Sequence, residues 1–392
     1  MKKFCISMLL VTLLFLLVNL VGCAHDKEPP LLNDSSNGYA EQIESIPTEA
    51  PPSEKTSEDQ EVDNTKSTEW ALHWPMITSH GQMALSYIEY INDNFYERLP
   101  FSYREKETAL WIIDELYSMG YDRDDIELQT FHRTDIEQWL TQPWEGLMWG
   151  MFDIEGFLRM HSQNVILTIP GQSEYTLIVG AHYDCLIWPG GNDNASGTAL
   201  LLESAYAMLE HDSYYTIVYI FFGAEELGCL GARYYYDSMS EQQRDNIVLM
   251  INADALLSGD LLMYGTGQLH TDMIMENNIS QQIYAISKNL YNTHGMDTTS
   301  HLNVLEWGSD HRVFLENNHT VIHLLSVQLI PEQGTAHPIL GSYGNEYITW
   351  RSWHTNEDCI HFINEAWPSL VEVNMWSFSL FLEAVLLTTF DN

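Results

Sequence analysis

The apolar positions of the chain change period several times, and each change marks an element. In ALSYIEYINDNF (84–95) and YREKETALWIIDELYSMGY (103–121) they recur at helical spacing, with Gly120 as a stop for the second, so two helices are predicted first. NVILTIP (164–170) and YTLIVGA (175–181) are apolar almost throughout; split by Gly171, they read as adjacent strands. SGTALLLESAYAMLE (196–210) predicts a helix, TIVYIFF (216–222) a strand and ELGCLGARYYYDSM (226–239) a helix. NIVLMIN (246–252) and TVIHLL (320–325) predict two further strands, and WPSLVEVNMWSFSLFLEAVLL (367–387) a closing amphipathic helix. Strands that are apolar along their whole length are buried on both faces. Alternating with helices, they indicate an α/β fold with a mostly parallel central sheet sandwiched by helices. Sites in that architecture form just beyond the carboxyl ends of the strands.

Composition limits how much of the chain takes part in this fold. Residues 1–22 combine a basic start (Lys2, Lys3) with an apolar stretch, the pattern of a secretory signal peptide. Leu20-Val21-Gly22-Cys23 resembles a lipoprotein cleavage motif, which makes Cys23 the expected lipid anchor; the plainer alternative is a signal peptide with an incidental cysteine. Lipidation tethers a chain to a membrane surface without spanning it, so the expected location is the extracellular face of the bacterial cell membrane. From Cys23 to Glu69 the sequence is rich in Pro, Ser, Thr and acids and too poor in apolar residues to fold, and it reads as a flexible acidic stalk. Residues 70–392 carry most of the aromatic and branched residues, enough for one large catalytic domain. The net charge of −39 argues against nucleic acid as a partner. Cys185, Cys229 and Cys359 cannot all pair, and no CxxC zinc signature is present.

The chemistry gathers where the strands end. YTLIVGA runs into His182, Tyr183 and Asp184, TIVYIFFGA into the adjacent carboxylates Glu225 and Glu226, and NIVLMINA into Asp254. Asp193 sits in the Gly-rich turn CLIWPGGNDNASG, and His354 lies on a loop before the last helices. One strand-end histidine is more often structural than catalytic. Several positions that deliver imidazole and carboxylate to the same rim point to a site for a borderline divalent cation such as zinc. The lack of cysteine in the set favours a catalytic over a structural metal.

HYD (182–184), GGNDNASG (190–197), GAEELG (223–228), Asp254, SDH (309–311) and HTNED (354–358) together resemble the zinc aminopeptidase family that includes bacterial leucyl aminopeptidases and glutaminyl cyclases. The resemblance implies a mixed, mostly parallel sheet and two zinc ions. Asp193 would bridge the two, with His182 and Asp254 completing one set and Glu226 and His354 the other. Glu225 would be the general base that activates water against a peptide bond. Asp184 would accept the second ring N–H of His182 and fix its tautomer. Trp353, beside His354, is similar to the cyclase branch, where a tryptophan lines the pocket; Asp310 is a second candidate for that pocket, and His311 a cap for the helix that starts there. The aspartate-containing turn at 193–197 resembles the hydrolases instead. The resemblance therefore implies an aminopeptidase acting on peptide substrates, with a single-zinc glutaminyl cyclase and a non-catalytic surface-binding lipoprotein as alternatives. Cys185 and Cys229, each three residues from a candidate site residue, allow either a disulfide or two small buried side chains. Trp70, Trp74, Trp139, Trp144 and Trp149 carry no assigned role.

Overall fold

Four parallel strands form the centre of the sheet: β4 (Thr216–Phe222), β3 (Thr176–His182), β5 (Ile247–Ala253) and β9 (Val321–Ile330). In the computed structural model these lie within a longer path ordered β1-β2-β4-β3-β5-β9-β11-β10. On one flank β1 (Ile126–His132) and β2 (His161–Ile169) are antiparallel, as are β10 (Ile339–Tyr343) and β11 (Glu346–Thr349) on the other. A branch strand, β6 (Leu261–His270), runs antiparallel to β9 and carries the short β7 (Met273–Met275) and β8 (Thr298–Ser300). The structure describes residues 80–391 except 137, 140–160, 260, 272, 297, 301–304, 331–338, 344–345, 350–351 and 368. The expected signal peptide, Cys23 and stalk, together with Trp70, Trp74, Trp144 and Trp149, lie outside the described residues.

The mixed α/β sandwich expected from the sequence is present, and one neighbour relation differs. β2 and β3 are consecutive in the chain but not adjacent, because β4 inserts between them, antiparallel to β2 and parallel to β3. Both runs are equally apolar, and apolarity alone does not say which neighbour a buried strand takes.

Alternate residues of each central strand enter two cores. Val165, Leu177, Val179, Ile217, Tyr219, Leu249, Ile251 and Ile322 pack with α1 (Gln82–Asn94), α2 (Tyr103–Met119), α3 (Ser196–Met208), α5 (Asn278–His294) and α8 (Leu370–Leu386). Ile166, Ile178, Val218, Ile220, Phe222 and Met250 face the other way, onto α4 (Leu230–Ser238) and α6 (His311–Glu316). The period of two in the strands therefore assigns the helices to opposite layers. At the start of α2 the Ser102 side chain accepts the Glu105 amide, and Gly120, with φ 111°, ends the helix. α4 starts four residues later than the apolar spacing suggests. Residues 225–227 instead form a tight turn, bounded by Ala224 (φ 55°), Gly228 (φ 106°) and Cys229 (φ 57°). The chain thereby turns sharply as β4 surfaces and keeps both glutamates at the rim.

Among the described residues no single helix is long and apolar enough to cross a membrane. α8 is bent by 109° from α7 (Ile360–Ala366), and its apolar side chains lie in the core.

Candidate metal centre

Three parallel strands deliver the first residues of the site. His182 is the last residue of β3, Glu225 and Glu226 are the third and fourth residues after β4, and Asp254 follows β5 directly. Asp193 comes from the turn ahead of α3. That turn is brought against β5 because position 197 is glycine: a Cβ there would run into the Ala253 carbonyl oxygen. Its polar residues hold it in place through buried hydrogen bonds. The Asn192 side-chain oxygen accepts the Leu257 and Ser258 amides, Asn194 donates to Ala253 O (2.9 Å) and accepts the Gly197 amide (2.8 Å), and Ser196 Oγ donates to Asn192 O (2.6 Å). Asp358 reaches in from the segment before α7 and accepts the amides of Asn192 (2.5 Å) and Asp193 (3.2 Å).

Two groups result, and one residue belongs to both. His182 Nε2 lies 3.2 Å from Asp193 Oδ1 and 3.4 Å from Asp254 Oδ1. His354 Nε2 lies 3.4 Å from Asp193 Oδ2 and 3.2 Å from Glu226 Oε2. In each group the ligand atoms lie within 4.8 Å of one another, a spacing that a single divalent cation can draw together. Asp193 thus presents one oxygen to each group. Glu226 Oε1 is buried without a hydrogen-bond partner, an arrangement that a carboxylate tolerates when a cation sits on it. The His182 side chain is 1 % exposed and that of His354 22 %, so the site opens on the His354 side.

Electrostatics point the same way. Burial acts to lower the His182 imidazole, but Asp254, Asp184 and Asp193 outweigh it and hold it well above its ordinary value. His354 is raised in the same manner by Glu226 and Asp193. Despite its burial, Asp193 is pulled below the usual carboxylate range by these two histidines. Burial pushes Glu225 well up, and Asp310, Glu226 and Asp254 add to this against His182. The excess of carboxylate over imidazole leaves a strongly negative cleft in which divalent cations would replace the protons on the two histidines. The donor set, all oxygen and imidazole nitrogen, fits zinc.

Asp184 takes a different part from the one expected. His182 Nδ1 faces the backbone carbonyl of Asp184 at 3.1 Å, while the nearer carboxylate oxygen is 3.7 Å away. The carboxylate instead accepts the amides of Glu225 (3.0 Å) and Glu226 (3.2 Å), which are short of partners in so tight a turn. Asp184 thereby fixes the glutamate pair, and its main chain fixes the histidine. His311 does not cap α6: it is fully buried, stacked on His323 at 4.1 Å, with Nε2 3.3 Å from Leu305 O. Trp353 stacks on His354 at 4.1 Å and packs against the apolar cluster of Ala255, Met263, Leu325 and Val327. Asp310 is fully buried, and its charge acts on Glu225. Cys185 and Cys229 are free thiols. Burial raises Cys185 to about 12, and Cys229 Sγ donates to Glu225 Oε1 at 3.3 Å.

Residues 164–378 match peptidase family M28, a stretch that contains every proposed ligand. The chain belongs to peptidase family M28. Among curated M28-like relatives, aminopeptidase YwaD of Bacillus subtilis (strain 168) is 30 % identical over 220 residues, covering 54 % of this chain and 43 % of that protein. Leucine aminopeptidase 1 of Penicillium rubens is 26 % identical over 230 residues, 52 % of each. The chain thus spans about half the length of the curated relatives it matches. Two solved structures share the fold. A zinc aminopeptidase from Bacillus subtilis superposes with a TM-score of 0.57 at 17 % identity, over 79 % of this chain and 95 % of that one. An Acidobacteriales bacterium glutaminyl cyclase gives 0.52 at 18 % identity, over 78 % and 93 %. Two residues that hold the Asp193 turn, Asp358 and Asn192, have no role in the sequence analysis, where Asp358 is the tail of HTNED and Asn192 one of several turn asparagines. The signal for both was the density of polar residues in segments that had to be buried.

Proposed function

We propose that this M28 protein is a two-zinc aminopeptidase, held at the cell surface through Cys23, that removes residues from the amino terminus of peptides. The observation that carries the reading is the pair of ligand groups sharing Asp193. His182, Asp193 and Asp254 would hold one ion, and Asp193, Glu226 and His354 the other. Zinc in such a pair supplies Lewis-acid chemistry: it acidifies water and offsets negative charge developing on a carbonyl oxygen. The general base is Glu225. It lies beside the ligands without belonging to either group, and its burial raises its proton affinity. It takes the proton of the attacking water and returns it to the departing amine. The Cys229 thiol on Oε1 limits the rotation of this carboxylate and leaves Oε2 for the proton transfer. Curated relatives named as aminopeptidases support the substrate class.

A second reading is favoured by one observation, the stacking of Trp353 on His354 at the open side of the site. It is a glutaminyl cyclase that closes an amino-terminal glutamine with loss of ammonia. The test is mass spectrometry of peptides beginning with Leu or Gln after incubation with the full chain and zinc. Stepwise loss of amino-terminal residues, abolished in Glu225→Gln, is the expected result. Ammonia loss from only the Gln peptides would replace the aminopeptidase with the cyclase. Zinc bound without any turnover would leave a binding protein.

A further inference from the structure

Two buried ionisable side chains lie outside the site, Arg98 in the connection between α1 and α2 and Glu105 in the first turn of α2. Arg98 is fully buried, and its charge reaches the buried Asp358 without a direct ion pair among the described residues. Its guanidinium donates to four backbone carbonyls instead: Nε to Tyr183 O (2.6 Å), Nη1 to Phe95 O (3.0 Å) and Pro189 O (3.1 Å), and Nη2 to Gly190 O (2.9 Å). Its main chain exchanges two more bonds with Cys185, through the Arg98 amide to Sγ (3.2 Å) and the Cys185 amide to Arg98 O (3.1 Å). Tyr183 directly follows His182, and Gly190 lies three residues before Asp193. One guanidinium therefore grips both ends of the loop that separates these two ligands.

Glu105, in the first turn of α2, is also fully buried. It accepts the amides of Phe101 (2.7 Å) and Ala224 (3.0 Å) and the Ser162 hydroxyl (2.7 Å). Ala224 is in the left-handed region immediately before Glu225. With Asn164 holding the Gly223 amide and Asp184 holding those of Glu225 and Glu226, four successive amides each meet a buried side-chain acceptor.

A linkage that only joined two helices would be served by apolar side chains, because burying an ionisable group is costly. We infer that the connection between α1 and α2, with the first turn of α2, is a positioning device for the metal centre: Arg98 sets the loop carrying Asp193, and Glu105 sets the turn carrying Glu225 and Glu226. This rests on the two-metal reading of the site. The fixed fork of an arginine suits divergent carbonyls, and a lysine in its place keeps the charge but loses that geometry. A glutamine at 105 keeps one acceptor oxygen and presents a donor where the second amide arrives.

The test uses the full chain with Arg98→Lys, Arg98→Met and Glu105→Gln. Glu203→Gln serves as a control, since Glu203 is a buried carboxylate that binds amides of residues 81 and 84 and touches neither loop. Two quantities are measured: zinc affinity by competition with a chromogenic chelator, and hydrogen–deuterium exchange of the zinc-free protein. Zinc affinity is expected to fall by about 10–100-fold in Arg98→Lys and Glu105→Gln, the usual effect of losing an outer-shell partner, and to stay unchanged in Glu203→Gln. Exchange should quicken within 183–195 for Arg98→Lys and within 223–229 for Glu105→Gln. Arg98→Met reports the larger change if it folds, and Arg98→Lys keeps the charge if it does not. Unchanged zinc affinity in both conservative variants, or exchange raised evenly across the chain as in the control, overturns the inference. Exchange is read without metal and affinity without substrate, so a chain that binds zinc but cleaves no peptide would refute the aminopeptidase and leave this inference intact.

Discussion

Glu225 and Glu226 are neighbours in the chain with separate surroundings. Glu226 points one oxygen at His354 and leaves the other without a partner, whereas Glu225 lies against the Cys229 thiol and belongs to neither ligand group. Glu225→Gln is therefore expected to keep its zinc and lose kcat by about 10²–10⁴-fold, the range for a lost general base, with KM little changed. Glu226→Gln is expected to lose one equivalent of zinc. Metal analysis alongside steady-state kinetics separates the two, and equal metal content in both variants would contradict these roles.

Helix and strand packing carries its own charged and titrating groups. The start of α1 is capped from α3: Glu203 accepts the amides of Gly81 (2.6 Å) and Ala84 (2.8 Å) and the Ser379 hydroxyl. Glu203→Ala leaves those donors buried and unpaired and should cost about 2–4 kcal/mol in urea unfolding, with no change in zinc affinity. Between α6 and β9, His311 and His323 are both held neutral. Burial lowers His323 to about 4 against the opposing pull of Asp254, and burial together with His323 lowers His311 well below its ordinary value. A histidine whose folded value lies below its unfolded value contributes no penalty above about pH 6.5 and destabilises progressively as pH falls from there. For His323 alone the loss reaches about 3 kcal/mol at pH 4. The stability difference between the chain and His323→Gln, both without metal, should therefore close or invert as pH falls from 7 to 4.5. A difference independent of pH would show that His323 takes up protons equally in both states.

The same scale explains what the sequence made legible. The central strands were visible because burial on both faces leaves an unbroken apolar run, and the ligands because polar residues interrupt those runs where each strand ends. β1 was not visible: its IELQTFH alternates irregularly and lies at a sheet edge. β6 and α5 lie in a stretch of weaker pattern, and the order β2-β4-β3 is a tertiary fact that local apolarity does not encode. Arg98 and Glu105 belong to no motif in the sequence. Their burial depends on loops distant in the chain.

At the scale of the whole molecule, the proposed role of Cys23 is to tether the acidic chain to the outer face of the membrane. Cys23→Ala is expected to release the catalytic part from the membrane fraction into the medium with its peptidase activity intact, which fractionation and a peptide assay would show. Continued membrane association of that variant would remove the anchor from the account. The central claim is the two-ion site built around Asp193, and calorimetric titration of zinc into the chelator-stripped full chain tests it most directly. Two equivalents are expected, falling to one in His182→Ala and to one in His354→Ala, with Asp193→Ala weakening both. A single equivalent, lost in His354→Ala and untouched in His182→Ala, would contradict it.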